Sequence, residues 1–259
     1  MKLPTLMYHD VVAPDAMDAS GFPGPAAGHY KLDEAAFAEH VRALSESGLR
    51  FVAVDAMEAS GDGCCLLTFD DGGASARRVA DALSAEGMIG HFLITTARIG
   101  THGFVSADDL RALQAQGHVV GSHSHTHPVE ISRLDAAQLE SEWQQSVQSL
   151  SQILGVEVTT ASVPGGFYST PVAKAAIAAG IRFLFTSEPT VQTQVVDGCV
   201  VLGRYALWRG MDARAASALA LGKGALQQRQ WLAWNVKKPL KRWARPFYRH
   251  IRNQWLGGG

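Results

Sequence analysis

The sequence predicts a single α/β barrel, and two observations support this fold class. Short apolar runs alternate along the chain with stretches whose apolar residues recur at helical spacing. Helices of roughly 10 to 20 residues between strands are typical of βα units and a parallel sheet. Six or more such units in a chain of 259 residues favour a closed or nearly closed barrel over a small open sheet.

Each element follows from an apolar run or from helical periodicity. In the first long helix, Phe37, Val41 and Leu44 share one face, and Gly48 ends the periodic stretch. The predicted strands are 3–8, 50–54, 64–69, 91–95, 118–121, 158–163 and 182–185. The predicted helices are 33–48, 74–86, 107–116, 135–154 and 171–179. In this architecture, functional side chains are expected just after the carboxyl ends of the strands.

The composition is that of an ordinary globular protein. Hydrophobic residues make up 47% of the chain and charged residues 18%, which excludes a wholly disordered protein. No run approaches the roughly 18 consecutive apolar residues of a membrane span. The first ten residues lack the long apolar segment of a secretory signal, so we expect a cytoplasmic protein. Only three cysteines are present, and we expect them to be reduced: Cys64, Cys65 and Cys199.

Charge is distributed unevenly along the chain. Residues 1–212 contain 13 basic and 24 acidic residues, whereas residues 213–259 contain ten basic residues and no acidic one. We therefore predict a barrel over residues 1–212 and a basic, aromatic-rich helical extension over residues 213–259. A basic appendage of this kind indicates an anionic partner.

Two polar clusters directly follow predicted strands. Thr68-Phe69-Asp70-Asp71-Gly72 ends one strand, and a segment with His123, His125 and His127 ends another. An Asp-Asp-Gly sequence alone is more often a turn, because Asp bonds nearby backbone and Gly accepts positive φ. A lone histidine is usually structural or exposed. Together, however, two aspartates and three histidines form a ligand set suited to a hydrolytic zinc-type ion with open coordination positions.

These motifs resemble those of the polysaccharide deacetylases, the NodB-homology enzymes of carbohydrate esterase family four. Residues 68–72 are similar to the first motif of that family. His123-Ser124-His125-Thr126-His127, followed by Pro128, is similar to the second. The opening Leu6-Met7-Tyr8-His9 resembles members linked to exopolysaccharide synthesis. The resemblance extends from about residue 3 to residue 204.

The resemblance implies a distorted (β/α) barrel that hydrolyses an acetyl group from a sugar, usually an N-acetyl amide. It assigns the metal-ligand roles to Asp71, His123 and His127, with zinc expected first and other divalent ions left open. It assigns the general base to Asp70. Pro164 and Gly165 are expected to bind substrate, with the backbone N–H of Gly165 stabilising the oxyanion.

Three segments differ from the family pattern, and in one of them, residues 185–189, the aspartate and tryptophan of the family are not evident. Ser162 stands where the family has an arginine that orients the base. The last motif of the family supplies a histidine as general acid, but the comparable segment 200–204 contains no histidine. A leaving amine must be protonated, so another acid is required. His9, after the first strand, and Glu188 are the candidates by position.

The helix predicted over residues 237–255 would have apolar residues on one face and basic residues on the opposite face. Pro246 is expected to kink or break the helix predicted over residues 237–255. Such a helix fits an anionic membrane surface, and it fits packing on the acidic barrel nearly as well. Nucleic-acid binding is disfavoured because the acidic barrel would repel phosphate. Five apolar residues recur at spacings of three and four: Leu240, Trp243, Phe247, Ile251 and Trp255.

Three functions are open for a chain with these motifs. The first is metal-dependent de-N-acetylation of a saccharide or lipid-linked saccharide in surface or exopolysaccharide synthesis. The second is a barrel that binds metal and sugar without turnover. The third is an O-acetyl esterase, whose alkoxide leaving group depends less on acid catalysis. We expect the protein in the cytoplasm, or held peripherally at the inner face of the membrane.

Overall fold

Parallel strands and the helices between them make up most of the structure. The computed structural model describes residues 2–243, with side chains described as far as residue 236. The strands are Thr5–Tyr8 (β1), Val11–Val12 (β2), Leu32–Asp33 (β3), Arg50–Phe51 (β4), Cys64–Phe69 (β5), Gly90–Ile94 (β6), Val119–Ser122 (β7), Thr160–Ser162 (β8), Phe183–Phe185 (β9), Thr193–Val196 (β10), Cys199–Leu202 (β11) and Tyr205–Ala206 (β12). The α-helices are Pro25–Gly28 (α1), Glu34–Ser45 (α2), Met57–Ser60 (α3), Ala76–Ala85 (α4), Ala107–Ala115 (α5), Ala136–Leu154 (α6), Thr170–Ala178 (α7), Ala213–Leu221 (α8) and Leu226–Trp243 (α9).

The main sheet runs in the order β10-β11-β9-β8-β7-β6-β5-β1-β12, with β4 also paired to β5. All of these neighbours are parallel except the hairpin of β10 and β11. The strands β2 and β3 form a separate parallel pair. The strands β11 and β12 lie near opposite ends of the main sheet, yet only Gly203 and Arg204 separate them in the chain. The chain therefore links the two ends of the sheet.

Side chains from distant strands meet inside the curved sheet. Leu66 of β5, Leu93 of β6, Phe185 of β9 and Leu202 of β11 belong to one buried cluster. A flat sheet would hold β5 and β11 about 20 Å or more apart at the usual strand spacing. The sheet is therefore curled, and the predicted α/β barrel is confirmed.

Helix-capping residues set the starts of the two helices that flank β7. Ser106 caps α5 and Asp135 caps α6, each in a reciprocal capping box with the residue three positions later. Each cap contributes about 1 kcal/mol to helix stability. These caps position the loop between β7 and α6, which carries His123 and His127.

The division predicted after residue 212 stays a prediction, but the helix beyond it packs into the barrel. Ala216, Leu219 and Ala220 of α8 are buried in the main hydrophobic core. The Ser217 hydroxyl donates to the carbonyl of Ala43 in α2 at 3.2 Å. The helix α8 therefore covers the same core as α2. Of the predicted tail helix over residues 237–255, the part after residue 243 lies outside the described residues.

Candidate active site

The residues predicted to carry chemistry follow neighbouring strands. His9 follows β1, and Asp70 and Asp71 follow β5, which pairs with β1 in parallel. The backbone N–H of Asp70 donates to the carbonyl of Tyr8 at 3.0 Å, so His9 and Asp70 start from adjacent positions. His123 follows β7, two strands further along the sheet. Because the carboxyl ends of parallel strands meet at one rim of a barrel, these side chains share one mouth.

Asp71, His123 and His127 form a cluster with the spacing of metal ligands. One ligand atom from each lies within 4.8 Å of the others. The Oδ1 atom of Asp71 is 3.6 Å from Nε2 of His123 and 3.7 Å from Nε2 of His127. Tetrahedral zinc sites, with bonds of about 2.0–2.2 Å to nitrogen and oxygen, hold their ligand atoms roughly 3.4 Å apart. The donor set and its spacing therefore fit a divalent ion.

Burial is the largest influence on the pKa values of the three side chains in this cluster. It raises the pKa of Asp71 to about 7, partly opposed by His9 and reinforced by the carboxylates of Asp70 and Asp10. Burial also lowers the pKa of His123 to about 3 and lowers the pKa of His127. Both imidazoles are thus neutral at pH 7 and have a lone pair to offer. A cation at this position would compensate the buried negative charge of Asp71.

The backbone at this cluster adopts strained conformations. In the described part of the chain, three of the four non-glycine residues with positive φ lie here: Asp71 at 77°, Ser124 at 63° and His127 at 59°. Such conformations cost about 1–3 kcal/mol each and persist where surrounding bonds determine them. The Ser124 hydroxyl accepts the N–H of His127, and the Ser122 hydroxyl accepts the N–H of Ser124, both at 3.1 Å. The strain points to a functional loop.

Glu142 of α6 holds the middle of the same loop. Its carboxylate accepts the N–H groups of His125 and Thr126, at 3.0 and 2.9 Å, and the Thr126 hydroxyl at 2.6 Å. The His125 ring is hydrogen-bonded through Nδ1 to the Thr96 hydroxyl at 2.9 Å. His125 therefore lies beside the ligand cluster with its ring engaged elsewhere.

Arg204 binds Asp70 through two parallel hydrogen bonds. Its Nη1 donates to Oδ1 at 2.7 Å and its Nη2 to Oδ2 at 2.8 Å. Further bonds from Nε to the Thr186 carbonyl and from Nη1 to the Thr68 hydroxyl, both at 3.0 Å, fix the guanidinium. Arg204 is 0% exposed. Paired forks of this kind are the strongest and most directional ion pairs in proteins.

Arg204 decides the charge of Asp70. Burial alone would raise the pKa of this carboxyl, but the charge and hydrogen bonds of Arg204, aided by His123 and His9, outweigh it. The pKa of Asp70 therefore lies well below its usual range. Asp70 and Asp71 are adjacent in sequence, yet their environments move the two pKa values in opposite directions. Such a separation is typical of carboxylates with different catalytic roles.

Ser162 connects Asp70 to His123, the residues predicted as general base and metal ligand. The Nδ1–H of His123 donates to the hydroxyl of Ser162 at 2.5 Å and to its carbonyl at 3.2 Å. The Ser162 hydroxyl in turn donates to Oδ1 of Asp70 at 3.2 Å. This pattern places the proton of His123 on Nδ1 and leaves Nε2 free to bind a metal. The serine thus orients two site residues at once.

The two candidates for the general acid lie in different surroundings. His9 is half-buried beside the carboxylates, its charge lowers the pKa of both Asp70 and Asp71, and its ring packs on Tyr30. Its buried Nδ1 makes no hydrogen bond to any described residue. Glu188 lies in the loop after β9, where its charge adds to the burial that raises the pKa of Tyr168. The structure thus brings His9 next to the aspartates, while the carbonyl of Glu188 accepts the backbone N–H of Arg204 at 2.8 Å.

Pro164 and Gly165 form a short turn after β8, the strand that ends in Ser162. Pro164 is buried and Gly165 is exposed. The Cβ position of Gly165 is 3.6 Å from the carbonyl of Val129, two residues beyond His127. The predicted oxyanion segment therefore lies at the rim beside the metal-ligand loop.

The long loop before α2 is held over the site by a buried lysine. Lys31 is 1% exposed, and its ammonium donates to the carbonyls of Met17, Ser20 and Phe22 at 2.9, 2.6 and 2.7 Å. The Phe22 ring packs against His127 with centroids 4.9 Å apart. The loop therefore forms one wall of the site.

A second anchor of the loop comes from Asp10. Its Oδ1 accepts the hydroxyls of Ser20 at 2.5 Å and of Ser75 at 2.8 Å. A Cβ at Gly73 would lie 1.9 Å from this oxygen, so only glycine permits the close approach. The roles of Asp10, Lys31, Ser20 and Ser75 were not predicted from the sequence, because their spacing along the chain is not that of metal ligands.

Replacing Lys31 by methionine is expected to lower the free energy of unfolding by about 3 kcal/mol, because three buried carbonyls lose their donor while the side chain keeps its length. Urea denaturation of both proteins measures the difference. Lys174→Met, at an exposed position of α7, is the control and should change the value by less than about 0.5 kcal/mol. Equal effects of the two substitutions would refute the anchoring role of Lys31.

Comparison with known proteins identifies the family. Residues 58–184 match the family model described as polysaccharide deacetylase, and this segment contains both aspartates, the metal-ligand histidines and Ser162. Residues 58–184, just under half of the chain, therefore belong to the polysaccharide deacetylase family. The match confirms the resemblance drawn from the motifs. Two residues of the candidate site, His9 and Arg204, lie outside the matched segment.

Similarity to individual known proteins is partial in sequence and extensive in fold. The chain is 33% identical over 106 residues to a chitin deacetylase of Pestalotiopsis sp, which covers 40% of this chain and 34% of that protein. It is 46% identical over 56 residues to a gellan lyase of Bacillus sp, or 22% of this chain and 2% of that protein. The chain thus spans a minor part of both curated relatives. The structure of IcaB from Ammonifex degensii superposes with a TM-score of 0.70 at 21% identity, covering 85% of this chain and 97% of that one.

Proposed function

We propose that the protein is a metal-dependent hydrolase that removes acetyl groups, first of all N-acetyl groups, from a saccharide. One observation carries this proposal: a ligand cluster of Asp71, His123 and His127 lies beside a second carboxylate, Asp70, that is held ionised by Arg204. The family match supports the reaction class. The opening motif around His9 supports a substrate from surface or exopolysaccharide synthesis, including a lipid-linked saccharide.

In the proposed reaction, Asp70 removes a proton from the attacking water. A bound divalent ion, which we expect to be zinc, supplies Lewis acidity that lowers the pKa of water and polarises the acetyl carbonyl. The fork from Arg204 keeps Asp70 ionised and fixes its orientation, at some cost in basicity. The Ser162 hydroxyl adds a second fixed contact to the same carboxylate. The backbone N–H of Gly165 stabilises the oxyanion from the rim.

His9 is the proposed general acid. It follows β1 directly beside Asp70, and its ring is held against Tyr30 with centroids 4.8 Å apart. A buried Nδ1 without a hydrogen bond to the described residues, next to the reacting centre, suits a group that exchanges a proton with a leaving amine. Glu188, the other candidate, lies in the loop after β9 and is proposed only if His9 proves dispensable.

Substitution of His9 by alanine is expected to slow amide hydrolysis by about 10²-fold or more. Hydrolysis of an activated acetyl ester should slow far less, because a good leaving group needs little protonation. The measurement compares kcat/KM of wild type and variant on an N-acetylated oligosaccharide and on a nitrophenyl acetate. Equal losses on both substrates would instead assign His9 a structural role.

Acetate release from a panel of N- and O-acetylated oligosaccharides tests the proposal. The enzyme is stripped with a chelator and assayed before and after addition of zinc or another divalent ion. De-N-acetylation predicts metal-restored release from N-acetyl sugars. Release from O-acetyl sugars alone would favour the esterase alternative. Saccharide binding without release from either class would favour the non-catalytic alternative.

A further inference from the structure

The helix α9 packs on the barrel through its polar face. Gln230 bonds the edge strand β12 twice, accepting the N–H of Ala206 at 3.1 Å and donating to its carbonyl at 2.9 Å. One turn earlier, Gln227 donates to the carbonyl of Leu219 at 2.7 Å. One turn later, Trp234 packs against Gly166, where a Cβ would lie 3.0 Å from the indole. These contacts define the docked face of α9.

The opposite face of α9 exposes apolar side chains. Leu232 is 55% exposed and Val236 is 62% exposed, and Trp231, at the border of the docked face, is 48% exposed. Three of the six exposed large hydrophobic residues among the described side chains therefore lie on two turns of one helix. At 100° per residue, Leu232 and Val236 lie roughly opposite the docked residues. A face of this kind is typical of an interaction surface.

The same apolar spacing recurs in the sequence beyond the described side chains. With Leu232 and Val236, the apolar spacing of three and four runs through positions 240, 243, 247, 251 and 255. Projected from the sequence at 100° per residue, the basic positions 238, 241 and 242, which precede Pro246, fall on the opposite arc. Residues 213–259 hold ten basic residues and no acidic one. Apolar residues with aromatics on one arc and lysine and arginine on the other are typical of helices that lie on anionic bilayers.

We infer that the exposed apolar face of α9, formed by Trp231, Leu232 and Val236, binds the surface of an anionic phospholipid bilayer. Packing of the apolar arc on the barrel is disfavoured where side chains are described, because α9 contacts the barrel through Leu226 at its start and then through glutamines and Trp234, while Leu232 and Val236 stay exposed. Because residues 213–259 contain basic residues and no acidic one, an anionic surface is favoured over an uncharged apolar partner. Among the described helices, none is both long and apolar enough to cross a bilayer.

Membrane binding at this face would bring the active site close to lipid headgroups. Trp234 contacts Gly166, the neighbour of Gly165 in the proposed oxyanion turn. A helix with its side chains is about 10–12 Å across, so the bilayer would lie about one helix diameter from this rim. This consequence rests on the proposed function, and it favours a saccharide whose lipid anchor lies in the same bilayer.

Co-sedimentation of the full chain with vesicles tests the inference. The vesicles contain phosphatidylglycerol with phosphatidylcholine, or phosphatidylcholine alone, at low and high salt. The intact protein is expected to bind the anionic vesicles, less strongly at high salt and least to phosphatidylcholine alone. The double variant L232E/V236E should bind the anionic vesicles at least tenfold more weakly. The control V156E/V195E adds the same two charges at exposed positions of the barrel and should bind within about twofold of wild type.

Three outcomes would overturn the inference. They are failure of the intact protein to bind anionic vesicles at low salt, equal losses in the two double variants, and a wild-type dimer that only L232E/V236E dissociates. Light scattering after gel filtration detects such a dimer and would assign the face to a second copy of the chain. Acetate release from a soluble oligosaccharide, measured in parallel, should be equal in all three proteins. Failure of the proposed function would appear there and not in the vesicle assay.

Discussion

Asp70→Asn is expected to lower kcat by about 10³-fold and, because it leaves Arg204 buried without its carboxylate, to lower the free energy of unfolding, while the folded variant keeps its affinity for a divalent ion. Asparagine has the shape of aspartate, but it cannot take a proton from water. Asp70 is not needed to hold the ion, since Asp71, His123 and His127 alone supply the ligand atoms of the cluster. Steady-state acetate release with the metal in excess measures the loss.

The control for this substitution is Asp55→Asn, which makes the same change at an exposed position. It should leave kcat within about twofold of wild type. A variant Asp70→Asn that keeps more than a tenth of wild-type turnover would contradict the role of Asp70 as general base. The proposed reaction would then need another proton acceptor.

Arg204→Met is expected to lower the free energy of unfolding by about 3–5 kcal/mol. The substitution leaves the carboxylate of Asp70 buried without a cation, and removing one partner of a buried pair carries a cost of this size. Arg204→Lys keeps the charge but loses the planar fork, so an intermediate loss is expected. The double variant of Arg204→Met with Asp70→Asn should be more stable than Arg204→Met alone, because it buries no unpaired charge.

Arg111→Met provides the matched comparison on the surface. Arg111 pairs with Asp108 on α5, and both side chains are largely exposed. Its loss is expected to cost less than about 1 kcal/mol. Urea denaturation of the four variants and wild type measures these differences. Similar values for Arg204→Met and Arg111→Met would contradict a buried, structure-determining pair at Asp70.

The sequence allowed the ligand cluster to be predicted because its residues are local and its geometry follows from the strands. Asp71 closely follows the end of β5, while His123 and His127 are four residues apart after β7. Parallel strands bring such ends to one rim whatever the rest of the barrel contains. The histidine pair could therefore be predicted from spacing, and the family motifs named Asp71 as the third candidate ligand.

Arg204 could not be assigned from sequence because its role depends on closure of the barrel. It lies 134 residues from Asp70 and becomes its neighbour only when the chain links the ends of the curved sheet. The available signal was a basic residue two positions after the strand Cys199–Leu202, at the end of the segment where the family has its histidine. The role of Lys31 was missed for a related reason. Its partners are backbone carbonyls, which every residue has, so no side-chain pattern in the sequence indicates them.

The hairpin of β10 and β11 was missed although its signal is local. Asp197 and Gly198 have φ of 46° and 85° and join the two strands as a two-residue turn. An Asp-Gly pair between apolar runs is a strong hairpin signal. The alternation of strands and helices elsewhere in the chain drew the prediction toward parallel units only.

Metal content measured by elemental analysis tests the central claim most directly. Wild type and Asp70→Asn are expected to retain about one divalent ion per chain after dialysis against trace metal. Asp71→Ala and His127→Ala should lose most of it, because three protein ligands leave no redundancy. Equal metal content in all four proteins would contradict the proposal that Asp71, His123 and His127 hold the ion while Asp70 acts as general base.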